Sequence, residues 1–277
     1  MRVAAVQSTA SADRPGNLAS ATDLVNGAVD DGAELVVLPE LFSFYGDPAM
    51  LRAGAEPFEG PTLTWASEVA ARHRIWLLAG SFVEAFGRSR NHNTSVLVGP
   101  DGTVAASYRK LHLFDVDVPG AMNRESDAVA PGDALVGATV TLDDGQGLPL
   151  GLTICYDLRF PELYRLLSLA GALVIVVPSA FAAVTGRAHW EVLVRARAIE
   201  NQVFVIAADQ VGTLSPSFTA HGHSMIVDPW GTVLAERPEG PGHVVADLDL
   251  AGQQEVRSLL PSLAHRRPSS YAGLDRA

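Results

Sequence analysis

Two stretches of this chain repeat one another. Gly32-Ala-Glu-Leu-Val-Val-Leu-Pro39-Glu-Leu-Phe42 aligns without a gap on Gly171-Ala-Leu-Val-Ile-Val-Val-Pro178-Ser-Ala-Phe181. Each is a glycine, a run of successive apolar residues and a proline. A strand that is apolar at successive positions must be covered on both faces, and proline ends it because it has no N–H for the ladder. A second pair, Gly99-Pro-Asp-Gly-Thr-Val104 and Asp228-Pro-Trp-Gly-Thr-Val233, has the form of a hairpin turn in both places. Shared α/β grammar produces such pairs as readily as internal symmetry does. If the symmetry is real, two halves, each of helices on a sheet, pack as a four-layer α-β-β-α sandwich.

Hydrophobic periodicity fills in the rest. It predicts a strand over Val3 to Val6, then a helix over Asn17 to Asp31 closed by Gly32, and a strand over Leu35 to Leu38. A helix over Thr62 to His73 follows, then strands near Ile75 to Gly80 and Ser95 to Val98, and a return through Thr103 to Lys110. Between Leu111 and Pro149 the period is lost, which reads as long loops with one strand near Ala138 to Leu142. Beyond it come a helix over Pro161 to Leu169, a strand over Leu173 to Val177, a helix from about Ala188 to Glu200 and a strand over Val203 to Ala208. A hairpin around Gly231, a strand over Val244 to Leu248 and a helix over Leu250 to Leu259 complete the pattern. The 277 residues, 48% of them hydrophobic, read as one α/β domain over 1–277 with a C-terminal tail from 261.

Charge and composition exclude several classes. A net charge of −11 is unsuited to a phosphate-binding surface, so nucleic acid is not an expected partner. No apolar run approaches the roughly 20 residues of a membrane span. The opening Met1-Arg-Val-Ala-Ala-Val-Gln has no signal-peptide organisation, and one cysteine permits no internal disulfide; together these read as cytoplasmic. His221 and His223 sit two apart, as strand neighbours on one face, but no carboxylate or cysteine set completes a metal site. Gly145 and Gly147 lack the following helix of a phosphate loop, so no cofactor is implied. Asn93-Thr94-Ser95 has the form of a glycosylation sequon, without a secretory route to use it.

The only cysteine, Cys155, ends the apolar run Leu150-Gly-Leu-Thr-Ile154 and precedes a helix begun by Pro161. Such a strand-to-helix elbow lifts a side chain out of the sheet toward helix-terminal N–H groups, which favours a thiolate and suits a nucleophile. A free cysteine is also, and more often, a small buried hydrophobe. Two other charged residues follow apolar runs. Glu40 stands just past a buried strand and a proline, and Lys110 closes Thr103 to Lys110. The plainer reading of each is a solvated acid or a surface lysine. Together with a cysteine they make a chemical set. A thiol needs a base, which a desolvated carboxylate of raised pKa supplies, and a lysine can receive the oxyanion formed when sulfur adds to a carbonyl.

Cys155-Tyr-Asp-Leu-Arg-Phe-Pro-Glu162, Leu38-Pro-Glu-Leu-Phe42 and Tyr108-Arg-Lys-Leu-His-Leu-Phe114 resemble the nucleophile, base and lysine segments of the nitrilase, or carbon-nitrogen hydrolase, superfamily. The resemblance implies the α-β-β-α sandwich and a Glu40-Lys110-Cys155 triad acting through a thioester. Glu125 then resembles a supporting glutamate, with a solvated loop acid as its plainer reading, and the N–H of Tyr156 joins Lys110 at the oxyanion. Cys155-Tyr-Asp, instead of Cys-Trp-Glu, speaks for an amidase over a nitrilase. Thr185-Gly-Arg-Ala-His-Trp-Glu191, Arg195-Ala-Arg-Ala-Ile-Glu-Asn201 and Gly222-His-Ser-Met225 are similar to the Nit branch, which holds ω-amidases and deaminated-glutathione amidases. His189-Trp-Glu-Val-Leu and the tail His265-Arg-Arg-Pro268 favour the second type.

The expected substrate is a small carboxylate-bearing amide, cleaved with release of ammonia. Arg159 is positioned to pair with its carboxylate, or else with Glu162 or Asp157; Phe181 and Trp190 wall the pocket, or else belong to the core. The same residues suit an acyltransferase, and a catalytically silent binding relative is the reading from a different class. The superfamily's habit implies a homodimer or larger homo-oligomer, with Leu259, Leu260 and Leu263 as a candidate contact or a strap over the chain's own core.

Overall fold

A computed structural model describes residues 1–87, 90–142 and 144–271. Two sheets stack face to face. The first contains β1 (Arg2–Gln7), β2 (Leu35–Val37), β3 (Trp76–Leu78), β4 (Phe82–Phe86), β5 (Arg90–Val98) and β6 (Val104–Arg109), and is closed by the late strand β17 (Gly242–Asp247). A short pair, β7 (Asp115–Val116) and β8 (Asn123–Arg124), stands apart on the long loop. The second sheet contains β9 (Gly137–Thr141), β10 (Gly147–Leu152), β11 (Val174–Ser179), β12 (Phe204–Asp209), β15 (Ser224–Val227) and β16 (Val233–Arg237). Between them in sequence, β13 (Val211–Ser215) and β14 (Phe218–His221) form a separate hairpin.

Helices cover the outer faces. α1 (Arg14–Asp30) and α3 (Pro61–His73) bury Ala21, Val25, Ala28, Ala66, Val69 and Ala70 against the first sheet. α4 (Pro161–Leu169) and α5 (Ala183–Asn201) lie on the second. α2 (Pro48–Ala53), α6 (Leu250–Leu259) and α7 (Pro268–Tyr271) are peripheral. The four-layer α-β-β-α sandwich expected from the sequence is the architecture found. The parity of β1 and β2 shows why both strands are continuously apolar. Val3, Ala5, Leu35 and Val37 face the second sheet, whereas Ala4, Val6, Val36 and Leu38 face the helices.

The internal repeat is a property of the topology. In one sheet β1, β2 and β3 run parallel, flanked by antiparallel β17 and β5; in the other β10, β11 and β12 run parallel, flanked by antiparallel β9 and β15. The echo places β2 on β11, the central strand in each set of three. The second echo falls on the β5–β6 and β15–β16 hairpins, each of which has a register shift next to its turn.

Several elements depart from the sequence reading. α5 begins at Ala183, well before Ala188, because Gly186 continues the helix. A Cβ there would lie 2.3 Å from the His221 ring, so the glycine serves packing and does not break the helix. β4 was not predicted, since the buried acid Glu84 interrupts its apolar run; Arg109 and Thr94 satisfy that acid. Of the tail, residues 272–277 lie outside the described part of the chain. Leu259 and Leu260 are exposed, 76% and 52%, so they do not strap the chain's own core.

Candidate active site

Glu40 owes its position to a backbone that turns sharply just after β2. Leu41 takes a left-handed conformation (φ 53°) and donates its N–H to Ser81 Oγ at 3.0 Å, while Gln210 Nε2 donates to the Glu40 carbonyl at 3.0 Å. Gly80, also left-handed, makes room for this turn: a Cβ at Gly80 would lie 1.8 Å from the Pro39 carbonyl oxygen. The buried carboxylate then accepts three hydrogen bonds and keeps one lone-pair site open. Oε1 accepts from Lys110 Nζ and from Asn93 Nδ2, both at 2.8 Å, and Oε2 accepts the Ala180 N–H at 2.8 Å.

Lys110 follows β6 and is 2% exposed, so it is not a surface lysine. Its ammonium also reaches Glu125 Oε2 at 2.8 Å, from a short 3-10 turn over Glu125–Asp127. Glu125 in turn accepts the Phe114 N–H at 2.7 Å and Asn93 Nδ2 at 3.0 Å. Burial opposes the lysine's charge, but Glu125 and Glu40 more than offset it, holding Lys110 well above its ordinary pKa and cationic. One cation between two carboxylates leaves the cluster with one excess negative charge.

Cys155 completes the cluster. It sits at the foot of β10 with φ 48°, a left-handed conformation that costs a non-glycine residue about 1 kcal/mol. Asp157, two residues on, holds the elbow there. It is buried and accepts from Tyr108 Oη at 2.7 Å, Ile154 N at 2.9 Å and His112 N at 3.1 Å, which ties the nucleophile turn to the lysine segment. The elbow does not favour a thiolate as the sequence suggested. Burial, then the Glu40 carboxylate, push the thiol well above its ordinary range, with Lys110 pulling the other way. The 3-10 turn over Cys155–Arg159 separates the cysteine from α4, so helix N–H groups do not compensate. The resting group is therefore a thiol beside a carboxylate that can take its proton.

Cys155 lies where two cavities meet. One, of about 570 Å³, is lined by Glu40, Lys110, Glu125, Asn93 and Tyr45 among others. The other, of about 190 Å³, is bounded by Tyr156, Arg159, Phe181 and Thr185. Arg159 pairs with neither Glu162 nor Asp157; its guanidinium lies 5.0 Å from the Phe181 ring centroid and 5.8 Å from that of Tyr156, with His189 Nδ1 at 3.2 Å. Phe181 is thus a wall of the smaller cavity. Trp190 is not: it is fully buried behind Phe181, ring centroids 5.1 Å apart, and donates its indole N–H to the His223 carbonyl at 2.7 Å. The structure therefore brings Glu40, Lys110, Cys155, Glu125, Tyr156, Arg159 and Phe181 to one crevice and leaves Trp190 in the core.

Asn93 and Asp157 are the residues that the sequence did not single out. Asn93 sits inside a strand as one polar residue among several, and only the fold shows that it bridges both carboxylates. Asp157 was legible as a letter of the Cys155 segment and as an alternative partner of Arg159, not as the clasp that holds the elbow. Among the described residues, no group of three or more His, Cys, Asp or Glu could hold a metal ion, and no helix is long and apolar enough to cross a membrane.

A buried carboxylate, ammonium and thiol stand together at the strand ends of a paired-sheet sandwich, an arrangement that can carry out nucleophilic chemistry at a carbonyl. The family model for carbon-nitrogen hydrolases matches residues 2–258, and the chain belongs to that family of enzymes that act on non-peptide C–N bonds. Among its relatives, the deaminated glutathione amidase of Rattus norvegicus is 45% identical over 279 residues, covering 98% of this chain and 84% of the relative. The omega-amidase NIT2 of Homo sapiens is 38% identical over 272 residues, covering 98% and 96%. The crystal structure of Saccharomyces cerevisiae Nit3, a member of branch 10 of the nitrilase superfamily, superposes with a TM-score of 0.84 at 33% identity and covers 94% of each chain.

Proposed function

We propose that this enzyme hydrolyses a small amide that carries a carboxylate, through a thioester on Cys155, and that deaminated glutathione is its preferred substrate. The observation that carries the mechanism is the convergence of Glu40, Lys110 and Glu125 around a buried cysteine. Glu40 takes the thiol proton as Sγ adds to the amide carbonyl. Lys110 Nζ and the Tyr156 N–H receive the oxyanion, a donor role typically worth about 3 kcal/mol in the transition state. The C–N bond breaks and the amine departs with the proton from Glu40. Water then gives a proton to Glu40, adds to the thioester and releases the acid, and Sγ regains its proton. Glu125 and Asn93 hold Lys110 and Glu40 in place throughout.

Arg159 supports a carboxylate-bearing acyl group. It is the cation of the smaller cavity, and its charge is met by aromatic faces and a histidine, with no acid paired to it among the described residues. The choice of deaminated glutathione over an ω-amide rests on the higher identity of the relatives so named, 45% against 38%. The two substrates share the same 2-oxoglutaryl acyl group and differ in what leaves. Ammonia, the product expected from the sequence, leaves only from the primary amide; the γ-linked amide of deaminated glutathione releases cysteinylglycine.

The test is formation of 2-oxoglutarate from each amide, with Cys155→Ala as the blank. Faster turnover of deaminated glutathione, abolished in the variant, is the expected result. No product from either amide would overturn the substrate, and an active variant would overturn the mechanism. We also propose a homo-oligomer working in a reducing compartment. The support is an apolar outer stripe of exposed Val192, Ile199 and Trp230, and a catalytic thiol that oxidation would silence.

A further inference from the structure

We infer that Asp209 is a positioning residue for Glu40, and that its place in the fold calls for a neutral hydrogen-bonding group and not for a charge. The inference rests on the reading of Glu40 as the base and goes beyond it, to a residue that lines neither cavity beside Cys155.

The turn that leaves β11 is held from two sides. The Ala180 N–H goes to Glu40 Oε2 and the next one, of Phe181, to Asp209 Oδ1, each at 2.8 Å. Glu40 follows β2 of the first sheet, whereas Asp209 ends β12 of the second, where it stands opposite Ser179. Asp209 thus sets where the turn lies, and the turn sets where Glu40 Oε2 lies. Its neighbour Gln210 holds the other end of the same residue, donating Nε2 to the Glu40 carbonyl at 3.0 Å. Asp209 is itself anchored across the seam. Its N–H donates to Ser224 Oγ at 2.9 Å, and the Ser224 N–H donates to Gln7 Oε1 of the first sheet at 2.9 Å.

Asp209 is fully buried, and its Oδ2 has no hydrogen-bond partner among the described residues. An ionised carboxylate left half-bonded in such a place is costly, and the group keeps its proton instead. The neighbouring elements offer it the N–H groups of Phe181, Gly222 and Gln210, and the charge that bears on it is the negative one of Glu40. Burial, then Glu40, outweigh those N–H groups and hold the acid well above its ordinary 3.8. Neutrality serves the reaction. Glu40, Lys110 and Glu125 already leave one excess negative charge beside Cys155, whose thiol burial and Glu40 push up. A further carboxylate behind Glu40 would push the thiol higher still and hinder the loss of its proton. A carboxylic acid and a carboxamide share one pattern, an oxygen that accepts and a group that donates, so Asp209→Asn imitates the neutral acid and not the carboxylate.

The test sets the wild-type protein beside Asp209→Asn and Asp209→Ala. In turnover of deaminated glutathione, Asp209→Ala leaves the Phe181 N–H without its acceptor and should lower kcat about tenfold or more, and Asp209→Asn should recover most of that loss. In melting curves the proton fixes the sign. Above 3.8 the unfolded chain gives up a proton that the folded chain keeps, so this group's contribution to stability falls as the pH rises. Asp209→Asn has no such proton, so its melting temperature should exceed that of the wild type at about pH 8, and the gap should close by about pH 4. An infrared difference spectrum at neutral pH should show the carbonyl stretch of a protonated carboxyl in the wild type and not in Asp209→Asn. A gap that does not widen with pH, a missing band, or a loss of kcat in Asp209→Asn as deep as in Asp209→Ala would overturn the inference. The gap and the band need only the wild type and Asp209→Asn, and so decide the matter even where Asp209→Ala does not fold. A wild-type protein that cleaves neither amide would overturn the amidase reading and with it the role at Glu40, a failure distinct from that of the neutral acid.

Discussion

Asn93 shows how much of the site depends on one uncharged side chain. Its amide nitrogen donates to Glu40 and Glu125 together, and so fixes the spacing of the two carboxylates that hold Lys110. A hydrogen bond to a charged group contributes about 1.5–3 kcal/mol, so Asn93→Ala is expected to lower kcat by roughly 10- to 100-fold. The measurement is steady-state kinetics beside a melting curve, and an unchanged kcat in a folded variant would refute the role. At this scale the sequence was only partly legible. Glu40, Lys110 and Cys155 each follow an apolar run, so their positions mark strand ends. Asn93 lies within Asn93-Thr94-Ser95, a stretch whose local pattern reads as a sequon, and its two acidic partners are distant in sequence. Trp190 stayed open between pocket wall and core for the complementary reason, since an aromatic residue in a helix carries no sign of which side it faces.

Between elements, close approach is paid for by missing side chains. The Glu40 turn and the start of β4 share the space over Gly80, whose φ is +35°. Gly80→Ala must push the Pro39 carbonyl away and adopt an unfavourable backbone angle. It is expected to lower stability by about 2 kcal/mol or more, and to lose activity beyond that because Glu40 moves. A soluble variant with normal turnover would contradict this. α5 and β14 meet in the same way, the His221 ring lying over Gly186. Burial, then the charges of His223 and Arg187, bring the His221 pKa down to about 4 from its ordinary 6.5. Between those values the unfolded chain binds a proton that the folded chain refuses, so stability is full above pH 6.5 and falls as pH drops toward 4. A melting series over that range should show the decline, and His221→Gln should flatten it. The sequence revealed strands covered on both faces, such as β2 and β11, and a helix with one clear buried stripe, α4. It missed α2, which buries no residue, and β13 and β14, whose burial comes from distant parts of the chain and leaves no periodic trace.

The whole molecule is two halves tied across their seam. Gln210, just past β12, donates to the Glu40 carbonyl and accepts the Ala10 N–H at 2.9 Å, while Gln7 in β1 accepts the Ser224 N–H at 2.9 Å. The sandwich was legible in the paired Gly-strand-Pro segments; the seam was not, because its polar ties join residues some two hundred positions apart. The strand registers carry the repeat further. Ala5 pairs with Val37 and Leu152 with Val176, and the echo sets Val37 on Val176. Counting three residues on from each of the outer partners sets Ser8 opposite Cys155, and the same alignment sets Ser179 opposite Glu40. The frame was laid down twice and armed in complementary places: the first copy has the carboxylate of Glu40 and the hydroxyl of Ser8, the second the thiol of Cys155 and the hydroxyl of Ser179. In the proposed mechanism a single reaction centre thus draws its base and cation from one copy and its nucleophile from the other. On that mechanism neither copy can work without its counterpart.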